Sequence, residues 1–425
     1  MILVNRFSSL NKLLKEWGKE GKFYYYRKFL LESRKPFGEK QNKKYSTPLI
    51  LFLKKVLSKF FLVFRFANLV FKILLSKKEQ VIFFNHTVRK RKGLIESRPL
   101  YLPVQNFNYE GIIVFEDAQS DATYSQLNIT SLLEISSVAT KILNQLLELV
   151  LGFKDRDFVD LLIKLKLWEL LLRALRPKQV NLLVWYGKES LIAACKKLDI
   201  NVVDLQHGII YEAHPIYNIK DGQEIDGSRF LLPNKCLVYG EYWKKCLLKS
   251  GWKSDEVEIV GYFLDTQKIS ENLYKQPYIL YTSQPHSNRL IIEHIQSIKS
   301  EILARGWIAV IAVHPSENTE VYKSILSENV QLAKMDAYDS LRYCEAHISY
   351  SSTLLWESML FNKSSYVLAF GTEAVDLLTD FIDYGFGKSL LNGQFPDPFT
   401  LPKLPNVDYF FQRVINTNLL YGEKV

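Results

Sequence analysis

The chain has 425 residues, 48% hydrophobic and 24% charged, which excludes a wholly disordered or low-complexity chain and is too long for one compact core, so two domains are expected. Four cysteines, at 195, 236, 246 and 344, are too few and too scattered for a disulfide scaffold or a spaced zinc site, and they favour a reducing compartment. The net charge of +10 is uneven: residues 1–100 carry 24 basic and 6 acidic side chains, and the other 325 carry 31 and 39. The N-terminal end is therefore expected to meet something anionic.

Residues 1–31 carry charges too early for a signal peptide and lack a small-residue cleavage pattern. Leu49–Leu75 is apolar but interrupted by Lys54, Lys55, Lys59, Arg65 and Lys72, so a membrane span is not expected. On a helix these five cations share an arc of about 140 degrees, with Leu, Phe and Val filling the rest. That is the pattern of an interfacial helix on an anionic membrane; packing on the protein's own body is the plain alternative.

From Gln80 onward strands and helices alternate. Gln80–Phe84 and Gly111–Phe115 read as strands, 129–151 and 158–175 as helices, Gln179–Trp185 as a strand, Ser190–Leu198 as a helix and Asn201–Leu205 as a strand. A second series follows: strand Lys235–Val238, helix Glu241–Lys249 closed by Gly251, and strands Val257–Val260 and Tyr278–Tyr281. Then come helix Leu290–Arg305 capped by Gly306, strands Trp307–Val313 and Ala346–Ser349, helix Thr353–Phe361 and strand Tyr366–Ala369. This alternation signals α/β structure with mainly parallel sheets. The expected domains are a basic, partly amphipathic helical segment at 1–79, a first Rossmann-like domain at 80–235, a second at 236–400, and a helix at 401–425 returning to the first.

Ligands in open α/β sheets sit outside the carboxyl ends of strands. Asp204-Leu205-Gln206-His207-Gly208 lies at such an end. His207 is a candidate general base on an acceptor hydroxyl or a donor to a phosphate, against a structural histidine. The loop beyond it carries Tyr211, Glu212, His214 and Tyr217, polar and aromatic groups suited to carbohydrate. Glu212, and Glu116 or Asp117 at the end of an earlier strand, are the substitute bases. Val313-His314-Pro315-Ser316-Glu317 leaves the most apolar strand of the second series, where Pro315 stops the ladder. There His314 can donate to a nucleotide phosphate, or cap backbone.

Ser351, Ser352 and Thr353 precede an apolar helical run, with Glu357 one turn in. Orphan amides and hydroxyls there can receive an anion, or form an ordinary cap. Thr282, Ser283 and Gln284 can line a nucleotide cleft, and Glu373 of Gly371-Thr372-Glu373 can contact a sugar or face solvent. Asn85-His86-Thr87 and the basic run Arg89–Lys92 can face an acceptor or a membrane.

Glycine-rich dinucleotide, Walker A, H-E-x-x-H and G-x-S-x-G motifs are absent. The one D-x-D, Asp155-Arg156-Asp157, sits at a charged helix start. No metal or other cofactor is therefore expected.

LQHG at Leu205–Gly208, VHP at Val313–Pro315 and YSSTLLWE at Tyr350–Glu357 resemble, in order and spacing, bacterial glycosyltransferases of the GT-B fold that build capsular or lipopolysaccharide chains. The wider group includes polysialyltransferases, Kdo transferases and CDP-glycerol glycerophosphotransferases. The resemblance covers roughly 180–375. It implies two Rossmann-like domains facing each other across a cleft, with the nucleotide donor in the second and the acceptor in the first. It implies His314, with Pro315, at the donor phosphate or nucleotide, Ser351, Ser352 and Thr353 at the phosphate, and His207 near the reacting centre. Gln206 stands where the glycerophosphotransferase pattern has Trp.

The function expected is metal-independent transfer of a sugar from a nucleotide-sugar donor, CMP-linked slightly favoured, to a surface-polysaccharide or lipid-linked glycan. The partners expected are that donor, that acceptor and an anionic membrane surface, with no nucleic acid. The place expected is the cytoplasm, peripherally at the inner face of the cell membrane. The alternatives are a sugar-nucleotide epimerase and a non-catalytic membrane-associated scaffold with a degenerate cleft.

Overall fold

The computed structural model describes residues 81–85, 90–91, 94–95, 112–115, 126–128, 136–145 except 138, 156–262, 271–401, 407–412, 416 and 419. Short gaps fall at 213, 215–216, 220–231, 285–286, 315–316 and 369–371, and at 81–128, 156–158 and 372–377 the backbone alone is described. The amphipathic segment 49–75, His86, Thr87, Glu116, Asp117, Pro315 and Gly371 lie outside the described residues.

The chain divides into two compact units, at Phe263/Leu264 and again at Phe411/Gln412. In the first, β1 (Val81–Asn85) precedes a short antiparallel ribbon of β2 (Lys90–Arg91) and β3 (Leu94–Ile95). Then come β4 (Ile112–Phe115), β5 (Gln126–Asn128), β6 (Gln179–Leu182), β7 (Asn201–Leu205), β8 (Lys235–Val238) and β9 (Val257–Ile259). Seven of these strands form one sheet in the order β5-β4-β1-β6-β7-β8-β9, every neighbouring pair parallel. Parallel strands need crossovers, and helices supply them: α1 (Arg156–Leu175), α2 (Glu189–Lys197) and α3 (Glu241–Lys249). α1 buries Leu161, Leu165, Trp168, Leu172 and Leu175, a run of four- and three-residue steps that keeps one stripe inward. That stripe packs on α2, whose residues Ser190–Cys195 are all buried.

The second unit contains β10 (Tyr278–Thr282), α4 (Asn288–Ser297), α5 (Lys299–Ala304), β11 (Ile308–Ala312), β12 (Val330–Leu332), α6 (Ala337–Tyr343), β13 (Ala346–Ser349), α7 (Leu354–Glu357), β14 (Ser365–Leu368), α8 (Thr372–Asp383) and β15 (Gly387–Leu390). Its six strands run β12-β11-β10-β13-β14-β15, again all parallel. Numbered along the chain this is 3-2-1-4-5-6, the Rossmann order. Ile279, Tyr281, Ala309, Ile311 and Ile348 face Ile291, Ile295 and Ile302 of α4 and α5. Tyr278, Leu280, Ile308 and Val310 pack with Leu341 and Cys344 on the other side. The two-residue alternation thus buries both faces, as a sheet covered by helices requires.

Three expectations are corrected. The domain boundary expected at 235/236 lies further on, because β8 and β9 pair into the first sheet. The helix expected over Leu290–Arg305 turns at Ile298, between α4 and α5. Ser297 donates its hydroxyl to the His294 carbonyl at 2.7 Å and accepts from the Gly393 amide at 3.0 Å, a local bond that competes with the regular ladder. The helix expected over Thr353–Phe361 is a single α-turn, α7, followed by a 3₁₀ turn at Ser358–Phe361 that ends at left-handed Asn362. Gly306 does close α5 at φ +67, with Trp307 N–H reaching back to the Ile302 carbonyl at 3.0 Å.

After the second unit the chain rejoins the first. Gln412 N–H donates to the Tyr239 carbonyl at 2.9 Å, Tyr262 N–H to Gln412 at 2.7 Å and Asn416 N–H to Val260 at 2.9 Å. Helical structure over 413–425 lies largely outside the described residues.

Candidate functional site

In the second unit the strand order reverses between β10 and β13, the position where open α/β sheets form a crevice. β10 and β13 end level with each other, Thr282 in register with Ser349, and Thr282 pairs with Ala312 at the end of β11. The residues that leave these three strands are Ser283 and Gln284, Tyr350–Thr353, and Val313 with His314. Three of the sequence-derived candidate groups thus share one sheet edge.

Hydrogen bonds fix this edge. His314 N–H donates to Ser283 Oγ at 3.0 Å, and the Ser283 hydroxyl donates to Glu317. Glu317 also accepts from Tyr322 Oη at 3.0 Å, while its own N–H donates to the His314 carbonyl at 2.9 Å. The turn carrying half-buried His314 is therefore clamped at both ends to buried groups. Ser283 and Thr282 act inward: the Thr282 hydroxyl meets His347 Nε2 at 2.9 Å, and both residues are buried. Ser352 Oγ accepts from Leu354 N–H at 3.2 Å, so it takes the capping role, whereas Thr353 makes no side-chain cap bond. Ser351 and Thr353 are half-buried. Glu357 is buried and accepts from the Tyr338 hydroxyl at 2.8 Å. Glu373 falls in the first turn of α8, and its side chain lies outside the described residues.

In the first unit the candidate group follows β7. Gln206 is buried and commits every polar atom of its side chain and backbone. Its Nε2 donates to the Gly208 carbonyl at 2.9 Å, its Oε1 accepts from Tyr239 N–H at 2.9 Å, its N–H donates to Leu237 at 2.9 Å, and its carbonyl accepts from the Tyr239 hydroxyl. That fixes the turn and leaves His207 half-exposed beyond it. His207 Nε2 shares a hydrogen bond with Tyr186 Oη at 3.0 Å, with ring centroids 5.7 Å apart. Sequence reasoning missed Tyr186. The available signal was its place in the segment that leaves the neighbouring strand β6, beside the segment with which His207 leaves β7.

Beneath His207, Asp204 is buried in β7 and accepts from Tyr217 Oη at 2.9 Å. Burial holds its carboxyl well above the ordinary 3.8, against the opposing pull of the Tyr217 hydroxyl and the Trp185 backbone amide. His214 stands edge-on between Tyr211 and Tyr217, at centroid distances of 5.2 and 5.0 Å, and packs the loop onto this pair. Glu212 is exposed and lies 4.0 Å from Lys249, with its carbonyl held by Ser250 Oγ at 2.9 Å. Among the described residues no group of three or more His, Cys, Asp and Glu could hold a metal ion, and no helix is long and apolar enough to cross a membrane.

No protein-family model and no curated protein matches the chain. Solved structures are similar to it at low identity. The UDP-GlcNAc 2-epimerase from Methanocaldococcus jannaschii is 12% identical over 81% of this chain and 99% of that one, with a TM-score of 0.47. The UDP-GlcNAc 2-epimerase from Neisseria meningitidis, bound to UDP-GlcNAc, is 16% identical over 74% and 88%, at 0.45. The calicheamicin glycosyltransferase is 13% identical over 76% and 87%, at 0.45. At these values the likeness reaches neither individual residues nor a reaction. The chain's own strand order makes each unit Rossmann-like.

Proposed function

We propose that the chain is a nucleotide-sugar enzyme that holds the phosphate end of its nucleotide at the β10/β13 crevice of the second unit. The observation behind this reading is that Ser283, His314 and Ser351–Thr353 leave three adjacent parallel strands at the point where strand order reverses. In this reading His314 donates to a phosphate, and Ser351, Thr353 and the amides around them supply further donors. Such groups stabilise the charge that develops on a departing phosphate, the part of the reaction most in need of fixed dipoles. His207, oriented by Tyr186, is the proposed base, and Glu373 the proposed sugar contact.

Two reactions use these parts. Transfer moves the sugar to a glycan or lipid-linked glycan, and the basic first 100 residues favour it, because they suit an acceptor at the anionic inner face of a membrane. Epimerisation needs no acceptor, and it is the activity named for several of the similar solved structures. Incubating the purified chain with UDP-, CMP-, CDP- and GDP-sugars one at a time separates them. An epimer formed from the nucleotide sugar alone supports epimerisation. Binding without turnover until a glycan acceptor is added supports transfer. Failure to bind any of the four refutes the nucleotide-sugar reading.

A further inference from the structure

We propose that His347 is a positioning residue for the second unit's crevice, tying the end of β10 to the α7 turn through a one-way chain of hydrogen bonds. The direction of the chain follows from its last member. The Leu355 carbonyl can only accept, so the Ser358 hydroxyl donates to it, at 2.6 Å. The Ser358 proton is then spent, so Ser365 donates to Ser358 Oγ, also at 2.6 Å. The Ser365 proton is spent in turn, so at 3.0 Å the ring of His347 must donate to it from Nδ1. A neutral ring protonated on Nδ1 has a bare Nε2, which accepts from the Thr282 hydroxyl at 2.9 Å.

Beside this chain, Ser349 Oγ donates to the Thr282 carbonyl at 2.7 Å, across the last register pair of β10 and β13. All five side chains are buried. Burial also pulls the His347 pKa down to about 3, which keeps the ring neutral. A buried polar network with every member satisfied fixes one arrangement of the elements it joins. These elements are β10, β13, β14 and the α7 turn. Ser283, whose Oγ holds the His314 amide, follows directly on Thr282, and Ser351–Thr353 lead directly into α7, so the chain sets the spacing of His314 and the α7-side groups assigned above to phosphate. That functional half rests on the nucleotide-sugar reading; the hydrogen-bond chain does not.

His294 is a built-in contrast. Its Nε2 faces the Gln394 carbonyl at 3.0 Å and must donate, so its Nδ1 accepts from Tyr281 Oη at 2.9 Å. The two histidines attached to successive residues of β10 therefore carry opposite tautomers.

The test uses the full chain labelled with ¹⁵N-histidine, read by long-range proton–nitrogen correlation between pH 5 and 8. His347→Gln and His294→Gln assign the two signals. His347 is expected to be protonated on Nδ1 and His294 on Nε2, and neither is expected to titrate. A His347 protonated on Nε2, or titrating in that range, overturns the proposal. Thr282→Val fills the space without a hydroxyl, whereas Thr282→Ser keeps the hydroxyl and leaves a gap. Thr282→Val is expected to weaken nucleotide-sugar binding about tenfold or more and Thr282→Ser much less. Equal binding by the wild type and Thr282→Val, or the reverse order of the two variants, overturns the positioning role. If the wild type binds no nucleotide sugar, the function proposed above falls, while the tautomers still decide the chain.

Discussion

Acidification probes the second unit at its buried histidines. Burial lowers His294 from the ordinary 6.5 to about 4 and His347 to about 3. The unfolded chain therefore binds two protons below pH 6.5 that the folded chain refuses. The stability these neutral rings contribute is fully present above pH 6.5 and is lost as pH falls toward their folded values. At 1.36 kcal/mol per pH unit for each group, moving from pH 7.5 to 5.0 removes about 2 kcal/mol per histidine, or about 4 kcal/mol together. Denaturant-dependent hydrogen exchange of peptides covering Tyr278–Thr282 and Ala346–Ser349 measures that loss where it occurs. The His294→Gln/His347→Gln double variant is expected to start less stable and to lose about 4 kcal/mol less than the wild type over the same interval. If the two proteins respond to pH alike, the neutral-histidine reasoning is refuted.

Further outcomes follow from other places in the fold. Asp204 carries the opposite sign: its folded value is raised, so its contribution is present below about pH 4 and is lost as pH rises. Asp204→Asn should therefore gain stability relative to the wild type as pH rises above about 4, as read by hydrogen exchange in Asn201–Leu205; a constant difference contradicts this. A Cβ at Gly387 would lie 2.1 Å from Cε1 of fully buried Phe381, so Gly387→Ala should cost about 1–3 kcal/mol and lower the melting temperature. An unchanged melting curve would show that Phe381 yields. His314→Ala should weaken nucleotide-sugar binding about tenfold with an unchanged far-UV circular dichroism spectrum, since one charge-assisted hydrogen bond is worth roughly that much. Tyr186→Phe should shift the pH–rate profile of the enzyme if His207 is the base, and an unmoved profile removes Tyr186 from that role.

Most elements of the fold were legible where a short apolar run had clear edges. Lys235–Val238, Glu241–Lys249 and Ala346–Ser349 are found as expected, because each is bounded by a turn signal or a change of period. The strands that escaped are β2, β3, β5, β12 and β15, each two to four residues long. Val330–Leu332 is too short to show a period, and Gly387–Leu390 is an edge strand with exposed Lys388 and Ser389 facing outward. α6 had a readable start: the Asp336 carboxylate accepts from both Tyr338 and Asp339 N–H, an ordinary N-cap signature.

The boundary at 263 was hidden because β8 and β9 look, in sequence, no different from strands of the second sheet. At the sites, His314 and Ser351–Thr353 were readable as polar residues leaving apolar strands. Tyr186 and His347 were not, because the hydrogen bonds that single them out reach partners 21 residues away for Tyr186, and 65 and 18 residues away for His347. Only the folded sheet brings those partners together.

The most direct measurement is a structure of the chain with the nucleotide sugar it binds best. The account predicts the donor phosphates against His314 and the Tyr350–Thr353 turn at the β10/β13 edge. A nucleotide seated elsewhere, with that edge untouched, contradicts it.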